Sequence, residues 1–134
     1  MNYWLVKSEP ETWSWAMQEQ HGQTMWDGVR NYQAQRYLKA MQIGDLSLFY
    51  HSGQERAIVG VIRVIGPAVL DPSDPAGKFI MVPMETVQAL ARPISLGTLK
   101  AHPPLQTLPL IRQSRLSVMP IDQSSWDIIQ GLSL

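Results

Sequence analysis

The run Trp26-Asp27-Gly28-Val29-Arg30-Asn31-Tyr32 sets a broad aromatic ring, a carboxylate, a glycine and an amide side chain close together. A tryptophan beside a glycine offers a flat π surface that another backbone or a ligand can approach closely. Asn31 carries both donor and acceptor groups, which suits it to reading the edge of a base or an amide. Together these types match recognition of a planar heterocycle. Each also has a plainer use. Trp26 can plug a core, and Asn31 can cap the helix that follows it, a task that occupies only its carbonyl oxygen. The local sequence leaves both uses open.

Three further groups carry chemistry. Lys7-Ser8-Glu9-Pro10 places an amine, a hydroxyl and a carboxylate at the exit of a strand-like segment, where they can share a pocket or simply face water. Phe49-Tyr50-His51-Ser52 alternates aromatic and polar groups, so Tyr50 and His51 share a face only if a bulge intervenes. Arg112, Arg115 and Ser117 precede the last strand-like segment, and arginine forks suit phosphate as well as solvent. Other chemistries lack their residues. His21, His51 and His102 have no metal-like spacing, and there is no cysteine, so neither a metal site nor a disulfide is expected. No phosphate-binding glycine loop, dinucleotide fingerprint or nucleophile elbow occurs, and no cofactor is expected.

The elements that must position these residues follow from periodicity. Tyr3–Lys7 reads as a first strand ended at Glu9-Pro10. Ser14 is placed to cap a short helix to about Gln20, stopped by His21-Gly22. Asn31 caps a clearer helix with Ala34, Tyr37, Leu38 and Met41 on one side, and Gly44 stops it. Asp45–His51 and Ala57–Ile65 read as strands joined by a hairpin at Gly53. Gly66–Gly77 is rich in proline, aspartate and glycine and reads as a loop. Phe79–Gln88 is another strand, in which Pro83 demands an edge or a bulge. Leu116–Ile121 is a last strand, and Asp122 caps a terminal helix with Trp126, Ile129 and Leu132 on one face. Hairpin-joined strands with separate helices predict an α+β fold.

With 134 residues, residues 1–134 are expected to form a single domain able to bury one core. Eleven basic and eleven acidic side chains cancel, which argues against tight, unspecific attraction to a polyanion. Residues 91–134 hold four basic side chains (Arg92, Lys100, Arg112, Arg115) against two acidic ones (Asp122, Asp127), so a local basic rim remains open. The N-terminal run shows neither a signal peptide nor a membrane span, so a cytoplasmic monomer without membrane partners is the expectation.

Read together, Tyr3–Pro10, Trp26–Ala34, Phe49–Ser52, Pro93–Leu96 and Arg115–Val118 resemble, in the right order over nearly the whole chain, the EVE domain, the family that includes thymocyte nuclear proteins. The resemblance implies a PUA-like fold, a partly closed mixed β-barrel flanked by helices, related to YTH and ASCH domains. It implies a non-catalytic module that binds nucleic acid, DNA or RNA, carrying a modified base, a modified cytosine above all, in an aromatic-walled pocket. Carried over by motif, Trp26 is the stacking wall, and Asn31 with the backbone from Asp27 to Val29 reads the base edge. Lys7 and Ser8 line the pocket from the first strand, Tyr50 and His51 close another side, and Arg115 and Ser117 approach a phosphate. The alternative is a small amidohydrolase-type enzyme on modified nucleosides using Lys7 and Glu9, as the resemblance to ASCH domains implies.

Overall fold

Apolar residues fill both faces of Ala57–Val64 (β4), and in the computed structural model, which describes residues 1–134, this segment lies inside a seven-stranded sheet. One neighbour is Leu46–His51 (β3), antiparallel through the hairpin expected at Gly53, whose φ of 83° suits glycine. The other is Ile80–Ser95 (β6), a long antiparallel strand that runs well past the Gln88 limit read from the sequence. Beyond β3 lie Tyr3–Ser8 (β1), parallel to it, and Val118–Ile121 (β7), antiparallel to β1. Beyond β6 lies Gln23–Trp26 (β2). The order is β2-β6-β4-β3-β1-β7, and no ladder joins the two end strands, so the sheet curls without closing.

Two segments for which periodicity predicts no strand are strands. β2 holds Trp26 in an edge ladder opposite Val82, where too short a run left no alternation to detect. Val69–Leu70 (β5) pairs with the start of β6 and makes part of the proline-rich loop a small hairpin. Pro83 sits just past the last pairing of β4, Val64 opposite Met84, and uses only its carbonyl, which accepts from Ile65 N. A proline is tolerated there because no ladder donor is needed.

Helix boundaries follow their caps. Ser14 Oγ accepts from Met17 N at the start of Trp15–His21 (α1), and Asn31 Oδ1 accepts from Ala34 N at the start of Tyr32–Ala40 (α2). Short helices Leu96–Lys100 (α3) and Pro109–Arg112 (α4) lead to β7, and Asp122 caps Gln123–Leu132 (α5).

The core is one apolar cluster, centred on the rings of Trp15, Phe49 and Trp26. Trp15 and Trp26 each meet Phe49 edge to face, at centroid distances of 5.2 and 5.5 Å. Trp15 reaches this position because Gly60 of β4 has no side chain. A Cβ there would lie 2.3 Å from the indole ring.

A second tie fixes the chain after β2. Asp71, just beyond β5, is buried, and its carboxylate accepts from Gly28 N (2.8 Å), Arg30 Nη1 (3.2 Å), and Ser73 N (2.9 Å) and Oγ (2.6 Å). Burial alone would raise its pKa. The bonds from Ser73, Gly28 and Arg30 outweigh that and hold it well below the ordinary carboxylate range.

Two outcomes follow. Gly60→Ala should destabilise the protein by about 1–3 kcal/mol through overpacking against Trp15, read as a lower urea midpoint at unchanged slope. Asp71→Asn should cost about 2 kcal/mol near neutral pH, the scale of hydrogen bonds to a charged group. Because folding depresses the Asp71 pKa, its contribution is complete above the unfolded value of about 3.9 and is lost as the pH falls through the folded value. The gap between wild type and Asp71→Asn should therefore be constant above about pH 5 and shrink below about pH 4. A gap independent of pH in acid would show that the carboxylate charge contributes nothing.

Candidate functional site

Where the curled sheet stays open, a hollow of about 650 Å³ separates the end of β1 from β2. Small-molecule sites span roughly 300–1,000 Å³. One side comes from Lys7, Ser8 and Glu9 at the exit of β1 and from Thr12 and Trp13 in the turn that follows. Facing them are Thr24, Met25 and Trp26 of β2 and the loop Asp27–Arg30, and Ser117 closes the rim just before β7.

The lining is fixed from behind. Trp26, held by Phe49, is only 7% exposed, and that remainder belongs to the wall. Trp13 is the second indole of the wall. Its Nε1 donates to Gln18 Oε1 at 2.9 Å, and its carbonyl accepts from Ser8 Oγ, which pins the turn to the strand end. The Asp71 carboxylate sets the Gly28–Arg30 backbone, and Arg30 also donates to Ser73 Oγ at 2.8 Å.

Lys7 brings a positive charge to the hollow without an ion pair. Its Nζ donates to Ser114 O at 2.8 Å and lies 5.8 Å from the centre of the Tyr50 ring. Burial lowers its pKa from the ordinary lysine value. Glu9 and Asp27 are exposed and their carboxylates accept no hydrogen bond within the protein, so both are free to meet a ligand donor.

Six of the residues singled out from the sequence meet here: Lys7, Ser8, Trp26, Asp27, Val29 and Ser117. Four do not. Asn31 is exposed outside the lining, with its oxygen committed to Ala34 N as a cap. Tyr50 and His51 are both buried but lie on opposite faces of β3: regular alternation sets His51 beside Phe49, with ring centroids 5.7 Å apart, and the register shift against β4 places its extra residue, Val59, on β4. Tyr50 is core, and burial raises its phenol pKa, with the Arg56 charge opposing. His51 Nε2 accepts from Trp15 N at 2.9 Å, which leaves Nδ1 as the donor to Glu55. Arg115 is exposed and stands off the hollow. Glu9, weighed with Lys7 for hydrolysis, does reach the lining, although β1 ends one residue before it.

Thr12, Trp13, Thr24, Met25, Gly28 and Arg30 also line the hollow. Pro10 held the signal for Trp13, since a break straight after a strand returns the chain toward its own end. Arg30 gave none, because its place depends on Asp71, far along the chain.

Comparisons with known proteins bear on the family and the fold. The EVE domain model matches residues 2–132. Rat thymocyte nuclear protein 1 is 36% identical over 98% of this chain and 73% of its own length. The crystal structure of the human THYN1 protein, in complex with DNA containing 5-methylcytosine, is 31% identical, with a TM-score of 0.95 over 99% of this chain and 98% of that one. A YTH domain from Zygosaccharomyces rouxii, 15% identical, shares the fold with a TM-score of 0.59 over 98% of this chain and 86% of that one. The architecture is thus the expected PUA-like α+β arrangement. With a model match over nearly its whole length and relatives above 30% identity, the chain belongs to the EVE domain family.

Proposed function

We propose that this chain is a non-catalytic binding module that accepts one modified base of a nucleic acid, a 5-methylated cytosine in the first instance, into the hollow between β1 and β2. The observation that carries the reading is the wall itself: two indoles, Trp13 and Trp26, flank a space on the scale of a nucleoside. The 5-methylcytosine DNA bound by the human relative supports the choice of ligand.

The chemistry of the lining fits a cytosine edge. A carboxylate is the natural acceptor for the exocyclic amine of cytosine, and Asp27 offers a free one. The Lys7 ammonium, with one proton given to Ser114, keeps donors for the base carbonyl. Met25 and Val29 supply apolar surface for a methyl group. Burying one methyl is worth about 0.8 kcal/mol, so methylation alone should raise affinity about fourfold.

Stacking on an aromatic wall contributes about 1–3 kcal/mol per base, whereas extruding a paired base costs a few kcal/mol. Single-stranded sites should therefore bind more tightly than the same site in a duplex.

Titration of labelled oligonucleotides tests the reading. A strand with one 5-methylcytosine should bind about fourfold more tightly than its unmodified counterpart. Trp26→Ala should weaken the modified strand at least about tenfold, or about 1.4 kcal/mol, while Trp26→Phe keeps the fold and part of the stacking. Asp27→Asn exchanges an acceptor-only group for one that also donates, and should erode the preference for cytosine over thymine. Equal affinity for modified and unmodified strands, unchanged by a folded Trp26 variant, would sink the proposal.

A further inference from the structure

The wall of the hollow continues onto an exposed face. Arg30 lines the hollow and also lies over the Phe79 ring, with its guanidinium carbon 4.9 Å from the ring centre. Phe79 in turn faces Tyr32 at 5.7 Å, with the planes 32° apart. Tyr32 is 67% exposed, so most of its ring faces solvent. The support is rigid. Asp74 Oδ2 accepts from Lys78 N (2.7 Å) and Phe79 N (3.0 Å), which fixes the backbone that presents Phe79.

From Tyr32 the face runs along α2. Arg36 and Lys39 follow at i+4 and i+7, on the same side as Tyr32 and away from the buried Ala34, Gln35 and Leu38. Both are exposed and make no ion pair, and α2 holds no acidic residue. Lys78 adds a further unpaired cation beside Phe79. Two acidic groups beside this face are hydrogen-bonded within the protein: Asp71 is buried on Arg30, and the Asp74 carboxylate is engaged by Ala76, Lys78 and Phe79 N–H groups. From Tyr32 to Lys39 the helix advances about 10.5 Å, roughly three stacked nucleotide steps.

Resting on the base-binding reading of the hollow, we propose that this face is a strand track for the nucleotides that flank the modified one. The neighbouring base stacks on Tyr32, which Phe79 and Arg30 back from the hollow side. The phosphates that follow meet Arg36 and Lys39. Aromatic platforms joined to a line of cations are how proteins follow a single strand without reading its sequence. The net neutrality of the chain makes the local excess the more telling, because no general field would draw a strand to this side.

The test uses the full chain with two ligands: free 5-methyldeoxycytidine, and a ten-residue single-stranded oligodeoxynucleotide with one central 5-methylcytosine. Wild type should bind the oligonucleotide more tightly than the nucleoside. Tyr32→Ala should weaken the oligonucleotide at least about fivefold, with nucleoside binding unchanged, and Tyr32→Phe should restore it. The double variant Arg36→Gln/Lys39→Gln should lower the slope of log affinity against log salt by about 1.4, the loss of two phosphate contacts on a single strand. If Tyr32→Ala and the double variant both bind the oligonucleotide like wild type, or if wild type gains nothing from the flanking nucleotides, the track is overturned while nucleoside binding leaves the hollow in place. If oligonucleotide binding depends on Tyr32 but ignores methylation, the track stands and the base reading falls.

Discussion

The six-membered ring of Trp15 occupies the space that a side chain at position 60 would need, and the placement of the site follows from this contact. With α1 held against the middle of β4, the chain leaves α1 directly into β2 and lays that strand along the far edge of β6. Trp26 then arrives edge-on against Phe49, in the same cluster as Trp15. The turn before α1 is drawn back to the end of β1, where Ser8 holds Trp13. Both indoles of the hollow are thereby placed by a single close approach of a ring to a backbone. α1 buries only Trp15 and Gln18, and the sheet edge between β2 and β7 stays open.

Holding a loop as a wall needs more than packing, since Asp27–Arg30 contributes only Val29 to the core. The buried Asp71 carboxylate meets the need by satisfying backbone and side-chain donors at once. A charge taken out of water is tolerated when it is hydrogen-bonded on this scale, and its removal leaves those donors unpaired. The same contact ties the β5–β6 hairpin to the hollow. Arg30 is shared between the ligand wall, the carboxylate and the Phe79 ring, so the orientation of the wall and that of the neighbouring aromatic face are set together.

Much of this was legible in the sequence wherever the determinant was local. Ser14, Asn31 and Asp122 announce three helix starts because capping involves residues only a few positions apart. Lys7, Ser8, Trp26 and Asp27 were recognisable as one group through the family motif, and the hollow gathers them. Asn31 was ambiguous between cap and reader, and its carbonyl oxygen serves as the cap, outside the hollow. Tyr50 and His51 are buried because β3 is covered on both faces, which its alternation alone does not reveal. β2 and β5 are too short for a period to show, and both exist through their pairing with β6. Arg30 and Trp13 owe their places to Asp71 and Ser8. Sequence periodicity does not encode contacts of that kind.

Charge arrangement bears on how such a module discriminates. A strongly basic protein gains most of its affinity from phosphates, and a pocket then adds a small preference to a large, salt-sensitive background. Here the charges cancel overall, and nine of the eleven Lys and Arg side chains make no ion pair, among them Lys7 inside the hollow and Arg36 and Lys39 on α2. With a weak background, a difference as small as one buried methyl group is not swamped by unspecific binding. Lys7 sharpens this further. Burial penalises its charged form, and no carboxylate compensates it within the protein, so a ligand carbonyl that accepts from it relieves a cost already present in the free state. An apolar intruder of the same size would leave that cost in place, so on the proposed reading the hollow selects for the polar edge of a base as well as for its flat face.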